Sequence, residues 1–178
     1  LKEKWTLTSW LGQSGTVIVN ADDALLKAQL KGFKKSRVIT YGMKNPSRIH
    51  ANNVSVAQGH HLFFVVDGKT FELNTCGINN MYNALAAYAC GHVMSVPIKD
   101  CVAALKNFEF PKGRGQIVKL GKGWLINDSY NANPVSMRCA IETLQELKTQ
   151  SKRILVVADM LELGTRTKEL HGQVGKQI

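Results

Sequence analysis

Between Gly15 and Tyr41 the chain spells a β-branched run, an amphipathic stretch and a second β-branched run. No other feature constrains the fold as much. Gly15-Thr-Val-Ile-Val-Asn20 has the pattern of a buried strand. Asp22 and Asp23 open an apolar-periodic stretch (Ala24, Leu25, Ala28, Leu30) that stops at Gly32, which predicts a helix with an acidic start and a glycine end. Arg37-Val-Ile-Thr-Tyr41 is a second strand. A helical connection of this length is what two parallel strands require, so the chain is assigned to the α/β class.

The rest of the sequence extends that layout. His50–Val56, His61–Val66 and Thr70–Leu73 read as strands, the last two joined by a hairpin turn at Asp67-Gly68. A helix capped by Asn79 or Asn80 runs to about Cys90, and another starts at Pro97 and continues through Leu105. Residues 108–115, with Pro111, Gly113 and Gly115, break all periodicity and read as a linker. A hairpin follows, with Gln116–Leu120 and Trp124–Ile126 around Gly121-Lys-Gly123. Then come a helix from Pro134 to about Leu147, a continuous apolar run Arg153–Ala158 read as a buried parallel strand, and a helix from about Thr167. Two units are expected, 1–110 and 111–178.

No apolar run approaches the ~20 residues that span a bilayer, and no signal-peptide pattern opens the sequence. A cytoplasmic location without membrane insertion is expected. The chain starts at Leu1 and stops at Ile178 within a helical pattern, so a piece of a longer protein is expected. Cys76, Cys90, Cys101 and Cys139 show no Cys-x-x-Cys spacing and read as buried free thiols. The formal charge of +10 suits anionic partners. The densest basic cluster (Lys31, Lys34, Lys35, Arg37) reads as a solvated helix end, so nucleic acid is not the expected partner.

Chemistry concentrates in Ile126-Asn-Asp-Ser-Tyr-Asn-Ala-Asn-Pro134, where six of nine residues carry polar side chains at the handover from an apolar strand to a helix. Main-chain N–H groups and the positive end of the helix dipole suit such a place to a ligand. Asn133 reads as the cap of the helix that Pro134 begins. Asp128, Ser129 and Asn131 are left for binding, with Asp128 able to orient a ribose, a metal-bound water or an arginine. Asn80 and Asn83 share a helix face. They offer the donor and acceptor that suit a purine edge, unless Asn80 only caps. Arg114 sits between glycines on what reads as a flexible joint, able to reach a phosphate or simply solvated. Asp159–Gly164 follows an apolar strand, where α/β sheets place ligand loops, though a plain loop fits equally. Two features mislead. Gly68-Lys-Thr70 lacks the earlier glycine and following helix of a phosphate loop and reads as a hairpin turn. His60 and His61 are adjacent on a strand and cannot share a metal ion.

Three segments together resemble the Mur ligases, in particular the branch that adds D-alanyl-D-alanine. Gly77-Ile-Asn-Asn-Met-Tyr-Asn-Ala-Leu-Ala-Ala87 is similar to the family's Gly-x-His-Asn-x-x-Asn-x-x-Ala-Ala helix start. Asn127-Asp-Ser-Tyr-Asn-Ala-Asn-Pro-Val-Ser-Met-Arg138 resembles the branch's Asp-Asp-Ser-Tyr-Asn-Ala-Asn-Pro-x-Ser-Met signature, and Asp159-Met-Leu-Glu-Leu-Gly164 with His171 and Gly175 its third motif. The chain departs from the pattern at Asn79, where the family has His, at Ala158, where it has Gly, and at Pro111-Lys-Gly-Arg114, where Pro-Gly-Arg is spread by a residue.

The resemblance implies the later part of a central ATP-binding domain followed by the first part of a Rossmann-like C-terminal domain. It also implies an ATP-dependent ligase that joins D-alanyl-D-alanine to UDP-N-acetylmuramoyl-tripeptide through an acyl phosphate, most simply as a monomer. It puts Asn80 and Asn83 at the adenine, Arg114 and Asp128 in catalytic positions at the ATP, and Ser129, Tyr130 and Asn131 on the same ATP-binding loop. Mg²⁺ and the phosphate-gripping loop are expected upstream of Leu1, so these residues alone are expected to be inactive and to hold no metal. A folylpolyglutamate-synthase-like ligase is the neighbouring alternative, against which the Ser-Tyr-Asn-Ala-Asn-Pro match argues. A non-catalytic nucleotide- or nucleic-acid-binding module is the alternative of another class.

Overall fold

The computed structural model describes residues 2–12, 14–30, 33, 37–57, 61–147 and 149–178. The basic cluster at Lys31, Lys34 and Lys35, the glycine stop at Gly32, and His60 lie outside the described residues. The chain forms two compact units. One comprises Leu1–Ser55, Phe63–Leu73 and Asn80–Asn107, and the other Val56–Leu62, Asn74–Asn79 and Phe108–Ile178.

In the first unit a short helix, α1 (Lys2–Thr6), precedes β1 (Thr16–Asn20), α2 (Ala24–Gln29) and β2 (Arg37–Gly42). The two strands pair in parallel, Thr16 against Arg37 through Asn20 against Tyr41, as the strand–helix–strand pattern requires. Asp23 caps α2, its Oδ1 accepting from the Leu25 and Leu26 N–H groups at 2.9 and 3.0 Å.

The strand expected over His50–Val56 is divided. β3 (Ile49–His50) extends the parallel sheet in the order β1-β2-β3, whereas β4 (Asn52–Ala57) belongs to a second sheet, β4-β5-β6. The division lies where buried Ala51 still donates to the Gly42 carbonyl at 2.9 Å. Asn53, next but one, adopts φ 51°, a left-handed conformation that asparagine tolerates. β5 (His61–Val66) and β6 (Lys69–Leu73) flank Asp67-Gly68, at φ 48° and 72°. Two positive φ values in a two-residue loop match the right-handed strand twist, so Gly68-Lys-Thr70 is indeed a hairpin.

α3 (Ile78–Val93) begins before the expected caps, so Asn79 and Asn80 lie within its first turn and neither is the N-cap. It buries Met81, Ala84, Leu85, Tyr88 and Ala89, one apolar stripe at helical spacing. Phe64 stacks on Phe71 and Phe71 meets Tyr88, both pairs at 5.2 Å between ring centroids. α4 (Ile98–Lys106) packs on β6, with Lys106 Nζ 2.7 Å from Glu72.

In the second unit, β7 (Gln116–Leu120) and β8 (Gly123–Asn127) form the expected antiparallel hairpin, followed by α5 (Pro134–Glu146) and α6 (Thr167–Gly175). Ile141, Met160 and Val174 make its small core, against which Ala132, Met137, Leu155 and Leu163 pack. The run Arg153–Ala158 is not a buried strand. Among the described residues nothing pairs with it, and Ile154 and Val156 are 76% and 89% exposed. Only Leu155 turns inward, because a strand is buried on both faces only when neighbours cover it.

All four cysteines are free thiols. Cys76 and Cys101 are buried, and burial pushes the Cys76 thiol up to about 11. Two depart from the expectation: Cys139 is only half-buried, and Cys90 lies off the buried stripe of α3 and is exposed.

Candidate functional site

The first group of candidate residues stands on α3. Asn83 is exposed and Asn80 half-buried, and Asn83 Nδ2 donates to Asn80 Oδ1 at 3.4 Å. Their spacing of three brings the two carboxamides together on the helix surface, as anticipated. Asn79, where the resemblance has a histidine, is exposed.

The second group is the loop between β8 and α5, where the chain leaves the hairpin without regular structure. The Asn127 side chain closes a local turn, its Oδ1 accepting from Ser129 N–H at 3.3 Å and Ser129 Oγ–H at 2.7 Å. Tyr130 N–H then donates to the Gly113 carbonyl at 2.9 Å. Gly113 is buried with φ 78°, and a Cβ there would stand 3.2 Å from Tyr130 N, so both the conformation and the close approach require glycine.

Arg114 follows directly. Its backbone N–H donates to the Pro111 carbonyl at 3.1 Å, and its guanidinium lies over the Tyr130 ring, 3.8 Å from the centroid. The segment read as a flexible joint is therefore tied to the loop, and Arg114 is held on an aromatic shelf. Asp128, Ser129, Tyr130 and Asn131 are all exposed, and the Asp128 carboxylate has no hydrogen bond or ion pair among the described residues. Asn131 Oδ1 accepts from Ala132 N–H at 2.8 Å.

The loop ends in a capping box. Asn133 Oδ1 accepts from Val135 and Ser136 N–H groups at 3.0 Å each, while Ser136 Oγ accepts from Asn133 N–H at 3.0 Å. With Pro134 at the first turn, α5 starts at one defined residue. The structure thus brings Arg114 and Tyr130 together, on a loop whose Asp128, Ser129 and Asn131 are also exposed.

The Asp159–Gly164 segment is also pinned. His171 Nε2 accepts from Met160 N–H at 3.0 Å while Nδ1 lies 2.9 Å from the Thr167 carbonyl. Both contacts are satisfied by a neutral ring with its proton on Nδ1. Asp159 Oδ1 is 3.7 Å from Nε2 and largely exposed.

One residue escaped the sequence reading. Asp22, taken there only as part of an acidic helix start, accepts Met43 N–H at 2.7 Å, Asn45 N–H at 2.6 Å, Asn45 Nδ2 at 3.0 Å and Lys44 N–H at both oxygens. It also accepts the Tyr82 hydroxyl at 2.9 Å. Burial alone would raise this carboxyl, but the N–H groups of Lys44, Met43 and Asn45 outweigh it and hold it well below the usual carboxylate range. The same bond and burial push the Tyr82 hydroxyl up to about 12, burial being the larger cause. Its partners lie 21–23 and 60 residues away, so no local pattern marks it.

Residues 1–91 match the Mur ligase middle domain and residues 113–178 match the Mur ligase, glutamate ligase domain. The chain belongs to the Mur ligase family. The UDP-N-acetylmuramoyl-tripeptide–D-alanyl-D-alanine ligase of Bacillus subtilis is 31% identical over 98% of this chain, and that of Escherichia coli is 33% identical over 98%. The chain spans 38% and 39% of the length of these two Mur ligases. Among solved structures, MurF from Acinetobacter baumannii superposes with a TM-score of 0.82 at 26% identity, covering 93% of this chain and 36% of that one.

Proposed function

We propose that this chain is part of an ATP-dependent amide-bond ligase that adds D-alanyl-D-alanine to UDP-N-acetylmuramoyl-tripeptide in peptidoglycan precursor synthesis. The observation that carries the reading is the loop Asn127–Pro134, whose Asp128 has no partner among the described residues while Arg114 lies over Tyr130. Similarity to two relatives bearing that name over 98% of the chain supports the acceptor. We place the boundary between middle and C-terminal domains near residue 110.

Asn80 and Asn83 are assigned to the adenine edge, where paired donors and acceptors discriminate between bases. Arg114 is assigned to charge neutralisation on a phosphoryl group. Asp128 presents a carboxylate for a ribose hydroxyl or a metal-bound water, with Ser129, Tyr130 and Asn131 lining the same surface. ATP supplies the phosphoryl group that activates the tripeptide carboxylate. The residues here orient the reactants and offset charge rather than form covalent bonds. Among the described residues no group of three His, Cys, Asp or Glu side chains could hold a metal ion, so no step is assigned to Mg²⁺ here. No helix among them is long and apolar enough to cross a membrane.

The test is phosphate release by the native gene product. Release should require ATP, the UDP-linked tripeptide and D-alanyl-D-alanine together, and Arg114→Lys and Asp128→Asn should each lower kcat at least tenfold. Release that proceeds equally with a glutamate acceptor, or salt-dependent DNA binding without nucleotide turnover, would exclude the assignment.

A further inference from the structure

We propose that Tyr82, held by Asp22, is a positioning residue for adenine recognition: its hydroxyl sets the roll of α3 and so where Asn80 and Asn83 present their carboxamides. The inference rests on the adenine assignment made above.

The Tyr88 hydroxyl donates to Asp67 Oδ2 at 3.0 Å, and otherwise the stripe Met81, Ala84, Leu85, Tyr88 and Ala89 holds α3 by apolar packing. Such packing is non-directional, and by itself it fixes the depth of a helix better than its rotation about its own axis. A hydrogen bond is directional and fixes rotation. With 3.6 residues per turn, Tyr82 lies about 200° round the helix from Asn80 and about 100° from Asn83. Asn80 therefore flanks one edge of the buried stripe and Tyr82 the other, while Asn83 lies on the exposed side nearly opposite the stripe. A hydroxyl anchored on the second edge opposes any roll that would sink or lift the first.

The anchor itself is rigid. Asp22 stands immediately beyond β1, with its backbone N–H on Asn20 Oδ1 at 2.9 Å. Its carboxylate is gripped by the backbone of residues 43–45 just beyond β2. Gly42 lets the carboxylate come this close to the strand end: a Cβ there would meet Asp22 Oδ2 at 3.0 Å. The hydroxyl of Tyr82 thus reports the position of the parallel sheet to the first turns of α3. Aromatic packing alone would not need the hydroxyl, and Tyr82 is only half-buried.

The discriminating experiment is steady-state kinetics of the native gene product with ATP and with GTP. Tyr82→Phe keeps the ring and removes only the anchor. It is expected to raise KM for ATP about 3- to 10-fold, the worth of one net hydrogen bond, with kcat close to wild type. The preference for ATP over GTP should fall by a similar factor. Asp22→Ala, which removes both carboxylate oxygens, should reproduce the loss of preference, and adding Tyr82→Phe to it should change the preference no further. An equal loss of kcat/KM for both nucleotides would mark Tyr82 as merely structural and overturn the proposal, as would no change for either.

Asn83→Ala separates the two levels. If it leaves the ATP preference intact, the adenine assignment fails and this inference with it. If it abolishes the preference while Tyr82→Phe does not, only the anchor fails. A thermal melt of each variant shows whether a loss comes from unfolding.

Discussion

Asp22 and Asp23 are neighbours of one chemical type, yet the same substitution should affect them very differently. Asp23 caps α2 through a single oxygen, Oδ1, which takes both N–H donors. An asparagine side chain would keep that oxygen, and asparagine is as good an N-cap as aspartate, so Asp23→Asn should cost at most a few tenths of a kcal/mol. Asp22 uses both oxygens. Oδ2 takes Met43 N–H and the Tyr82 hydroxyl, and Oδ1 takes Asn45 N–H and Asn45 Nδ2, with Lys44 N–H shared. Whichever way an amide is turned, its NH₂ faces a backbone N–H that cannot reverse, Met43 or Asn45, and the bonds that remain lose the carboxylate's charge.

That donor left without an acceptor costs about 1–3 kcal/mol, the low end applying because the site is partly open to water, and weakening the remaining bonds from charged to neutral adds about 1 kcal/mol. Asp22→Asn should therefore cost about 2–3 kcal/mol. With a urea m-value of roughly 2 kcal/mol/M, its midpoint should fall by about 1 M or more. Urea titrations followed by circular dichroism and by tryptophan fluorescence measure both variants.

The pH dependence follows from the same bonds. Because the folded carboxyl is held below its ordinary 3.8, its contribution is fully present above that value and is lost as pH falls below it. The gap between wild type and Asp22→Asn should be flat at neutral pH and shrink below about pH 4. Equal costs for the two variants, or a gap that widens in acid, would refute the reasoning.

Three further outcomes are expected. Asn133→Ala removes the capping box at α5 and should cost about 1 kcal/mol, whereas Asn133→Asp should cost much less; chemical denaturation of the two variants decides it. Gly113→Ala forces a left-handed φ on a residue with a Cβ and crowds Tyr130 N, so it should cost roughly 1–2 kcal/mol and lower turnover through Arg114; thermal melting and phosphate release measure the two effects. His171→Ala takes away the acceptor for Met160 N–H, so hydrogen exchange at that amide should accelerate at least tenfold while amides in α5 keep their protection.

The elements legible in the sequence are those whose cause is local. β1, α2 and β2 follow from apolar periodicity and the Asp23 cap, the Asp67-Gly68 hairpin from two residues that tolerate positive φ, and the start of α5 from Asn133 and Pro134. The pairing of Asn80 with Asn83 needed only helical spacing. Misreadings arose where distant partners decide. The apolar run Arg153–Ala158 has strand composition, but its neighbours determine whether it pairs and is buried. The break at Ala51 depends on Gly42, and the start of α3 ahead of both candidate caps depends on no capping residue that the pattern could show.

By itself, then, the sequence determined the α/β class, the parallel β1–α2–β2 unit and the polar loop Asn127–Pro134, because helical and strand periods and capping chemistry act over a few residues. Tertiary structure alone decided that Arg114 rests on Tyr130 instead of hanging on a free joint, and that one of two adjacent aspartates caps a helix while the other binds together segments 21 to 60 residues away. Hydrogen bonds across such separations depend on where the folded backbone brings donors and acceptors, and residue spacing carries no trace of that.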